Sequence, residues 1–498
     1  MTETRTATTA SAIMLTSVNP VSGEPIGSWA IDDAAAVDAA VERARSAAQQ
    51  WRDLGFAERK KALRRWAAQI INNVDEFCAL ITAENGKPTD DAYLEVILAV
   101  EHMNWAGANA HKVLKPKKVR PGLLMANIEA VIEQRPHGVV GVIGPWNYPV
   151  YTPTGSIAYA LAAGNTVVFK PSELTTAIGH WFVDAFTAAN PALPQGILSV
   201  VTGPGDTGRA LVESGVDMIA FTGSTATGKR IMEAAAQRLT PVVLECGGKD
   251  AAIVAEDADI PAAADAIVWS AMANSGQTCV GTERCYVVES VLKEFLVEVT
   301  ARVGELTPGT SYGPMTLPSQ IDVVAEHVGD ALAKGATAVF GGSESINAPF
   351  VGPIVLLDVP EDSTAVREET FGPTLTVRGV RDVAEAIELS NASRYGLASS
   401  VYSRKRGTEI ARALRVGATS INSPLSYGGI PALPFGGVGE SGIGRIHGAA
   451  GLLGFSRPHS IARQRFAIPG MALQSFARTE QTMQLVRKIT ARRFGRAK

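Results

Sequence analysis

Apolar residues in the first hundred positions recur at three- and four-residue steps. Val37, Val41, Ala44, Ala48 and Trp51 follow a 3.6-residue period, and Leu63, Trp66, Ile70 and Val74 do the same beyond a break near Gly55. This spacing predicts two amphipathic helices, with Asp32 or Asp33 capping the first. A third helical stretch is expected over 93–113, ending at the basic, proline-containing Lys115-Pro116-Lys117-Lys118.

From His137 the pattern changes. Short apolar runs at 139–143, 166–169, 198–201, 218–221 and 242–244 alternate with helical stretches at 156–163, 175–189, 207–214 and 227–238. Continuous apolar runs suit strands buried on both faces, so a parallel sheet covered by helices is expected, with ligands at the carboxyl ends of its strands. A second alternating series follows. Its strands are expected at 251–254, 338–340, 374–377, 400–402 and 419–422, and its helices near 262–273, 323–334 and 383–389. The extended stretch 126–134 belongs to neither series.

A length of 498 residues exceeds one ordinary core and implies two or three domains. The net charge of -3 gives no electrostatic footprint for nucleic acid. No apolar run approaches the roughly 18 to 20 residues that cross a bilayer, and the first residues do not place a basic region before an apolar one. A cytoplasmic protein is therefore expected. Cys78, Cys246, Cys279 and Cys285 form no C-x-x-C pair, so reduced thiols are expected. The seven scattered histidines show no metal-ligand spacing, so no metal site is expected.

Two glycine-rich segments carry the chemistry. Gly276-Gln277-Thr278-Cys279 presents a thiol in a turn better suited to access than to core packing, and Leu244-Glu245-Cys246-Gly247-Gly248-Lys249 supplies a carboxylate. A thiol that attacks and a carboxylate that takes a proton, from the thiol or from a later water, imply covalent catalysis. Cys279 falls in the second series and Glu245 at the junction, so an active site between two domains is expected. The Asn147 side chain, in Pro145-Trp146-Asn147-Tyr148-Pro149, offers an N–H to an oxyanion or simply stabilises a turn. The run from Phe221 to Lys229, with Gly223 and Ser224, is either a pyrophosphate-binding turn or a tight strand-to-helix connection. Lys170 and Glu173 are either a solvated turn or hold ribose hydroxyls, and in a dinucleotide site the carboxylate would repel a phosphate there and favour NAD over NADP. Glu369 and Phe371 add a carboxylate and a ring in another turn.

Taken together, LECGGK, GQTCVGTERCYV, PWNYP, KPSE, FTGSTATGK, EETFGP and PFGGVGESGIGRIHG resemble, in order and spacing, the NAD(P)-dependent aldehyde dehydrogenase superfamily over about residues 18–466. The resemblance implies an α/β fold: a Rossmann-like NAD domain (18–118 and 137–246), an α/β catalytic domain (247–455) and a small β oligomerisation element (119–136 and 456–466). A flexible N-terminus (1–17) and a basic tail (467–498) flank them. It makes Cys279 the nucleophile, Glu245 the general base, and Asn147 with the Cys279 backbone N–H the oxyanion donors. It assigns Lys170 and Glu173 to the adenosine ribose, Ser224 and neighbouring glycines such as Gly223 to the pyrophosphate, and Glu369 to the nicotinamide ribose. Phe371 would pack on the nicotinamide and Trp146 would line the same cleft, while Ile143, Ser172, Gly203 and Gly247 complete the expected cofactor contacts.

The expected reaction is NAD-dependent oxidation of a small-molecule aldehyde to its acid, in a homodimer or homotetramer, with NADP less favoured. A CoA-acylating relative is the alternative, but such members generally lack the glutamate base that Glu245 matches. A succinic semialdehyde dehydrogenase is another, and no arginine stands obviously ready for its carboxylate. The remote alternative is a catalytically silent binding protein. Pocket width is expected to depend on loops around Gly155, Thr278, Val280 and 425–430. Cys246 stands where many members carry Leu. From Arg457 onward ten Lys or Arg face a single acid, Glu480, so the tail is expected to be a solvated or partner-packed helix, or else a membrane-surface element.

Overall fold

The computed structural model describes residues 13–467 and 473–495 of the chain. Two units are distinguished, one of residues up to 113 together with 136–456, the other of 114–135 with 457 onward.

In the first unit the helical periodicity of the N-terminal segment is realised as Ala34–Asp53 and Gly55–Asn72. Asp33 caps the first, accepting the Ala36 N–H at 2.9 Å, whereas Asp32 reaches across to the Thr202 N–H at 2.7 Å. Val37, Val41, Ala44 and Trp51 of one helix and Leu63, Trp66 and Ile70 of the next are buried. The Trp66 indole N–H finds the Phe182 carbonyl at 3.1 Å, so its burial leaves no polar atom unpaired. Val74 does not continue the second helix; it begins a separate one, Val74–Asn85, after a non-helical Asn73. The flexible N-terminus expected over 1–17 needs correction at its end, because Met14–Val18 is a strand paired antiparallel with Pro25–Ala30. Residues 1–12 lie outside the described residues.

Six strands form one sheet in the order Gly442–Ile443, Val242–Cys246, Met218–Gly223, Val139–Ile143, Thr166–Lys170, Leu198–Val200. All neighbours run parallel except the short edge strand Gly442–Ile443. The connections Tyr151–Ala163, Thr176–Ala189, Gly205–Glu213 and Thr225–Ala236 are helical, as the alternating pattern requires. The carboxyl ends of the parallel strands therefore lie along one edge. Ile143, Lys170, Gly223, Glu245 and Cys246 all stand at or within one residue of such an end.

A second sheet has seven strands in the order Thr337–Phe340, Ile354–Leu357, Thr374–Val380, Thr282–Val288, Asp250–Val254, Ala398–Tyr402, Ala418–Ile421. It is parallel apart from the Thr337–Phe340 edge. Thr282–Val288 is buried along its whole length, yet its polar TERC start does not read as an apolar run. Its charges are paired internally: Glu283 forms an ion pair with Lys249, and Arg284 donates to the Lys249 carbonyl at 2.9 Å.

The second unit contains a three-stranded sheet in the order Ser456–Gln464, Ile128–Pro136, Lys117–Val119, so the extended stretch belongs to a sheet of its own. Glu129 bridges it, meeting Lys118 at 2.9 Å and Arg463 at 2.6 Å. The basic tail contains a helix, Glu480–Phe494, capped by Thr479.

Candidate active site

The loop that carries Cys279 is built under backbone strain. Asn274, Ser275 and Gly276 have successive φ values of 53, 58 and 68°, a left-handed run that L side chains rarely adopt. Only glycine fits at the third position, because a Cβ there would stand 2.0 Å from the Gly372 carbonyl oxygen. Side chains hold the conformation: Gln277 Nε2 donates to the Asn274 carbonyl at 2.9 Å, Gln277 Oε1 accepts the Thr316 N–H at 2.8 Å, and Ser275 Oγ donates to the Gly313 carbonyl at 2.5 Å. The result presents Cys279, half-buried, to a cavity of about 640 Å³.

Glu245 and Asn147 line the same cavity, as do Trp146, Gly223, Ser224, Gly247, Glu369 and Phe371. The Glu245 carboxyl is almost wholly buried and neither of its oxygens has a hydrogen-bond partner. Burial raises its pKa well above the usual carboxylate range, opposed by Arg445. Burial, then the carboxylates of Glu369, Asp250 and Glu245, likewise raise the Cys279 thiol. Burial thus disfavours the charged form of each group.

Asn147 Nδ2 donates to the Gln277 carbonyl at 2.9 Å, which fixes the amide beside the cysteine loop and leaves its second N–H for another acceptor. Its own carbonyl accepts from Lys87 Nζ at 3.0 Å and from Asn274 Nδ2 at 3.1 Å. Lys87 forms a fully buried ion pair with Glu95, and Glu95 also accepts the Val150 and Tyr151 N–H groups at 2.8 and 3.0 Å. Sequence reading missed Lys87 and Glu95. A lysine just ahead of a helix and a glutamate within it look like solvated charges until the loop they clamp is seen.

Ile143, Lys170, Ser172, Glu173 and Gly203 do not line this cavity; they sit at and just beyond strand ends of the six-stranded sheet. Lys170 is buried and its Nζ lies 3.6 Å from the half-exposed Glu173 carboxylate. Ser172 caps the short turn Glu173–Thr175 through the Leu174 N–H at 3.2 Å. Ser224 caps the helix Thr225–Ala236, whose first-turn N–H groups face outward beyond it.

Glu369 accepts the Gly248 N–H at 3.1 Å, and burial, with Glu283 adding, pushes it up to about 8. The rings of Phe371 and Trp146 meet edge-to-face at 5.6 Å. Thr278, Val280 and 425–429 of the expected mouth line the cavity; Gly155 does not form a loop but sits inside the helix Tyr151–Ala163.

The model of the aldehyde dehydrogenase family matches residues 7–461. The chain belongs to the aldehyde dehydrogenase family. It is accordingly an oxidoreductase that converts aldehydes to acids. A relative from Methylomonas sp, 4,4'-diapolycopene aldehyde oxidase, is 38% identical over 91% of this chain and 87% of that protein. Among solved structures, the enzyme is similar to an NAD-dependent aldehyde dehydrogenase from Sinorhizobium meliloti, with TM-score 0.87 and 31% identity over 92% of each chain. It is also similar to an NADP-dependent glyceraldehyde-3-phosphate dehydrogenase from Bacillus halodurans C-125 complexed with NADP. That match has TM-score 0.86 and 34% identity over 91% of this chain and 96% of the other. Among the described residues no cluster suited to a metal ion occurs, and no helix is long and apolar enough to cross a membrane.

Proposed function

We propose that Cys279 is the nucleophile and Glu245 the base of this oxidation, and that the substrate is an uncharged, largely apolar aldehyde. The carrying observation is that Cys279, Glu245 and Asn147, from three separate motifs, line one cavity in which the Glu245 carboxyl is buried without a partner. The Cys279 thiol passes its proton to solvent, and its sulfur bonds to the aldehyde carbon as the carbonyl π pair moves onto oxygen. The resulting oxyanion is held by the free N–H of Asn147 and by a backbone N–H at Cys279. In the second half, Glu245 takes a proton from the water that attacks the thioester, the acid departs and the thiol is restored.

Between the two halves the thiohemiacetal carbon must lose a hydride as its oxyanion re-forms C=O to give the thioester, and a nicotinamide dinucleotide, when bound, would supply the two-electron acceptor. The residues fit one. The capped N-terminus of Thr225–Ala236 suits a pyrophosphate, with Gly223 and Ser224 beside it, and the edge-to-face pair Trp146 and Phe371, with Glu369, suits the nicotinamide end. Lys170 and Glu173 suit the adenosine ribose, with Ile143, Ser172 and Gly203 as further contacts, while Gly247 stands against Glu369 at the other end. The Glu173 carboxylate favours NAD over NADP.

The cavity argues the substrate class. Its wall contains one Lys or Arg, Lys87, already paired with Glu95, against the carboxyl groups of Asp91, Glu95, Glu245 and Glu369. A carboxylate on the substrate, as in succinic semialdehyde, finds no free cation there. We further assign 18–118 with 137–246 to the cofactor and 247–455 to catalysis. The strands of 119–136 and 456–466 would pair across subunits of a cytoplasmic homodimer or homotetramer.

The test is NADH formation from a panel of aldehydes with and without CoA, in the wild type and in Cys279→Ala. Acid and NADH without CoA are expected, with no turnover but intact cofactor binding in the variant. An acyl-CoA product would overturn the role of Glu245, and wild-type turnover in Cys279→Ala would overturn that of Cys279.

A further inference from the structure

One part of the cavity wall is polar without being charged. His447 lines the cavity, is 1% exposed, and neither of its ring nitrogens has a partner. It stands at φ 59°, just ahead of the helix Gly448–Gly454. Its ring lies 4.0 Å, centroid to centroid, from that of His102, with Phe435 and Tyr151 at 5.7 and 5.8 Å. His102 belongs to the helix Thr89–Leu114, one turn beyond Leu98, and Leu94 and Leu98 of that row line the cavity.

The hydrogen-bond inventory of the pair is incomplete. His102 Nε2 lies 3.2 Å from the Gly428 carbonyl, which also accepts from the Tyr151 hydroxyl at 2.7 Å. A carbonyl only accepts, so Nε2 carries the hydrogen and His102 Nδ1 is a bare acceptor, buried and unpartnered. Burial favours the neutral form of both rings, bringing His102 down to about 4 and holding His447 well below the usual imidazole range, where His102 adds to the effect. A neutral His447 then offers one donor and one acceptor. The fold makes room for this ring: a Cβ on Gly155 would stand 2.4 Å from His447 Nε2. Unpaired polar atoms in a buried wall are costly, and a ligand atom that pairs them is favoured accordingly.

We propose that His447, backed by His102, is a specificity-determining residue that hydrogen-bonds a hydroxyl carried on the otherwise apolar body of the aldehyde. A hydroxyl gives one hydrogen bond and takes one, which matches a neutral imidazole. A carboxylate does not, since both rings are uncharged and the same wall already carries four carboxyl groups. The inference rests on the reading that this cavity receives the aldehyde.

The experiment uses matched pairs of straight-chain aldehydes of increasing length that end in a methyl or a hydroxyl group. In the wild type, at one length the hydroxylated aldehyde is expected to exceed its partner in kcat/KM by about tenfold or more, the difference lying mainly in KM. His447→Phe and, separately, His102→Phe erase that preference, and His447→Asn keeps part of it. Calorimetric binding of the same pairs to Cys279→Ala, which needs no turnover, gives the preference again. If only the chemistry assigned to Cys279 were wrong, this binding preference would remain. No hydroxyl preference at any length, in turnover or in binding, overturns the proposal. So does a preference that survives both phenylalanine variants, which would make the two rings packing only.

Discussion

Glu283 holds Phe371 from a neighbouring strand: its carboxylate accepts the Phe371 N–H at 3.1 Å and the Thr370 N–H at 2.8 Å. Phe371 has φ 52°, a conformation that costs an aromatic residue about 1–3 kcal/mol and that the turn does not sustain by itself. Lys249 completes the clamp, pairing with Glu283 and donating to Thr370 Oγ1 at 3.0 Å. Glu283→Gln is expected to lower stability by about 3–5 kcal/mol, because the buried Lys249 loses its counter-charge. It should also raise the cofactor dissociation constant, since Glu369 and Phe371 leave their positions. Thermal unfolding and a fluorescence titration with NAD check the two parts. Unchanged cofactor affinity would mean that the turn holds itself.

Glu245 should show the cost of keeping an unpaired carboxyl in a buried wall. Its folded pKa is raised, so above the ordinary value of 4.5 the unfolded chain releases this proton while the folded one keeps it, and stability falls as pH rises. Glu245→Gln removes that term. The variant should match the wild type at acid pH and gain on it towards neutral pH, by at most about 1.4 kcal/mol per pH unit. In turnover the same variant is expected to retain a pre-steady-state NADH burst while its steady rate collapses. A lost burst would place Glu245 earlier, at ionisation of Cys279, whose thiol is itself held up by burial.

What could be read in advance follows the physics of burial. The strands Val139–Ile143 and Val242–Cys246 are apolar runs because both faces are covered, and they announced themselves. Thr282–Val288 is equally buried but carries Glu283 and Arg284, whose partners come from distant parts of the chain, so no local pattern marks it. The residues we propose for the chemistry, Cys279, Glu245 and Asn147, could be singled out because they sit in short glycine- or proline-bounded segments. Of the residues that hold or surround them, Glu95 and His102 sit in a helix and Lys87 and His447 just ahead of one, where sequence spacing says nothing of what they face.

Glu173 sets the third expectation. Its carboxylate, 3.6 Å from Lys170 Nζ and half-exposed, would lie beside a 2′-phosphate on the adenosine ribose. Like charges a few ångströms apart at a surface cost about 1–4 kcal/mol, so NAD should be preferred by tenfold or more in kcat/KM. Glu173→Ser should narrow the gap by relieving NADP while affecting NAD less. Steady-state kinetics with both cofactors decide the point, and equal efficiency in the wild type would contradict it.

The tail offers the last test. Within Glu480–Phe494, Met483, Val486 and Ile489 are half-buried, whereas Leu485 and Phe494, and Phe476 ahead of the helix, are exposed beside Arg487, Lys488, Arg492 and Arg493. Large exposed apolar side chains interleaved with bases suit either a neighbouring subunit or an anionic membrane surface. The helix lies C-terminal to the strand Ser456–Gln464, which we assign to subunit pairing, so packing on a neighbour is the expected role. Truncation after Gly470 should therefore shift the protein to a smaller assembly on size-exclusion chromatography with light scattering, while kcat for short aldehydes stays within about twofold of the wild type. Co-sedimentation with phosphatidylserine vesicles supplies the contrary outcome. Each basic residue near such a surface contributes roughly 1 kcal/mol, so strong binding lost on truncation, with assembly unchanged, would assign the helix to the membrane instead.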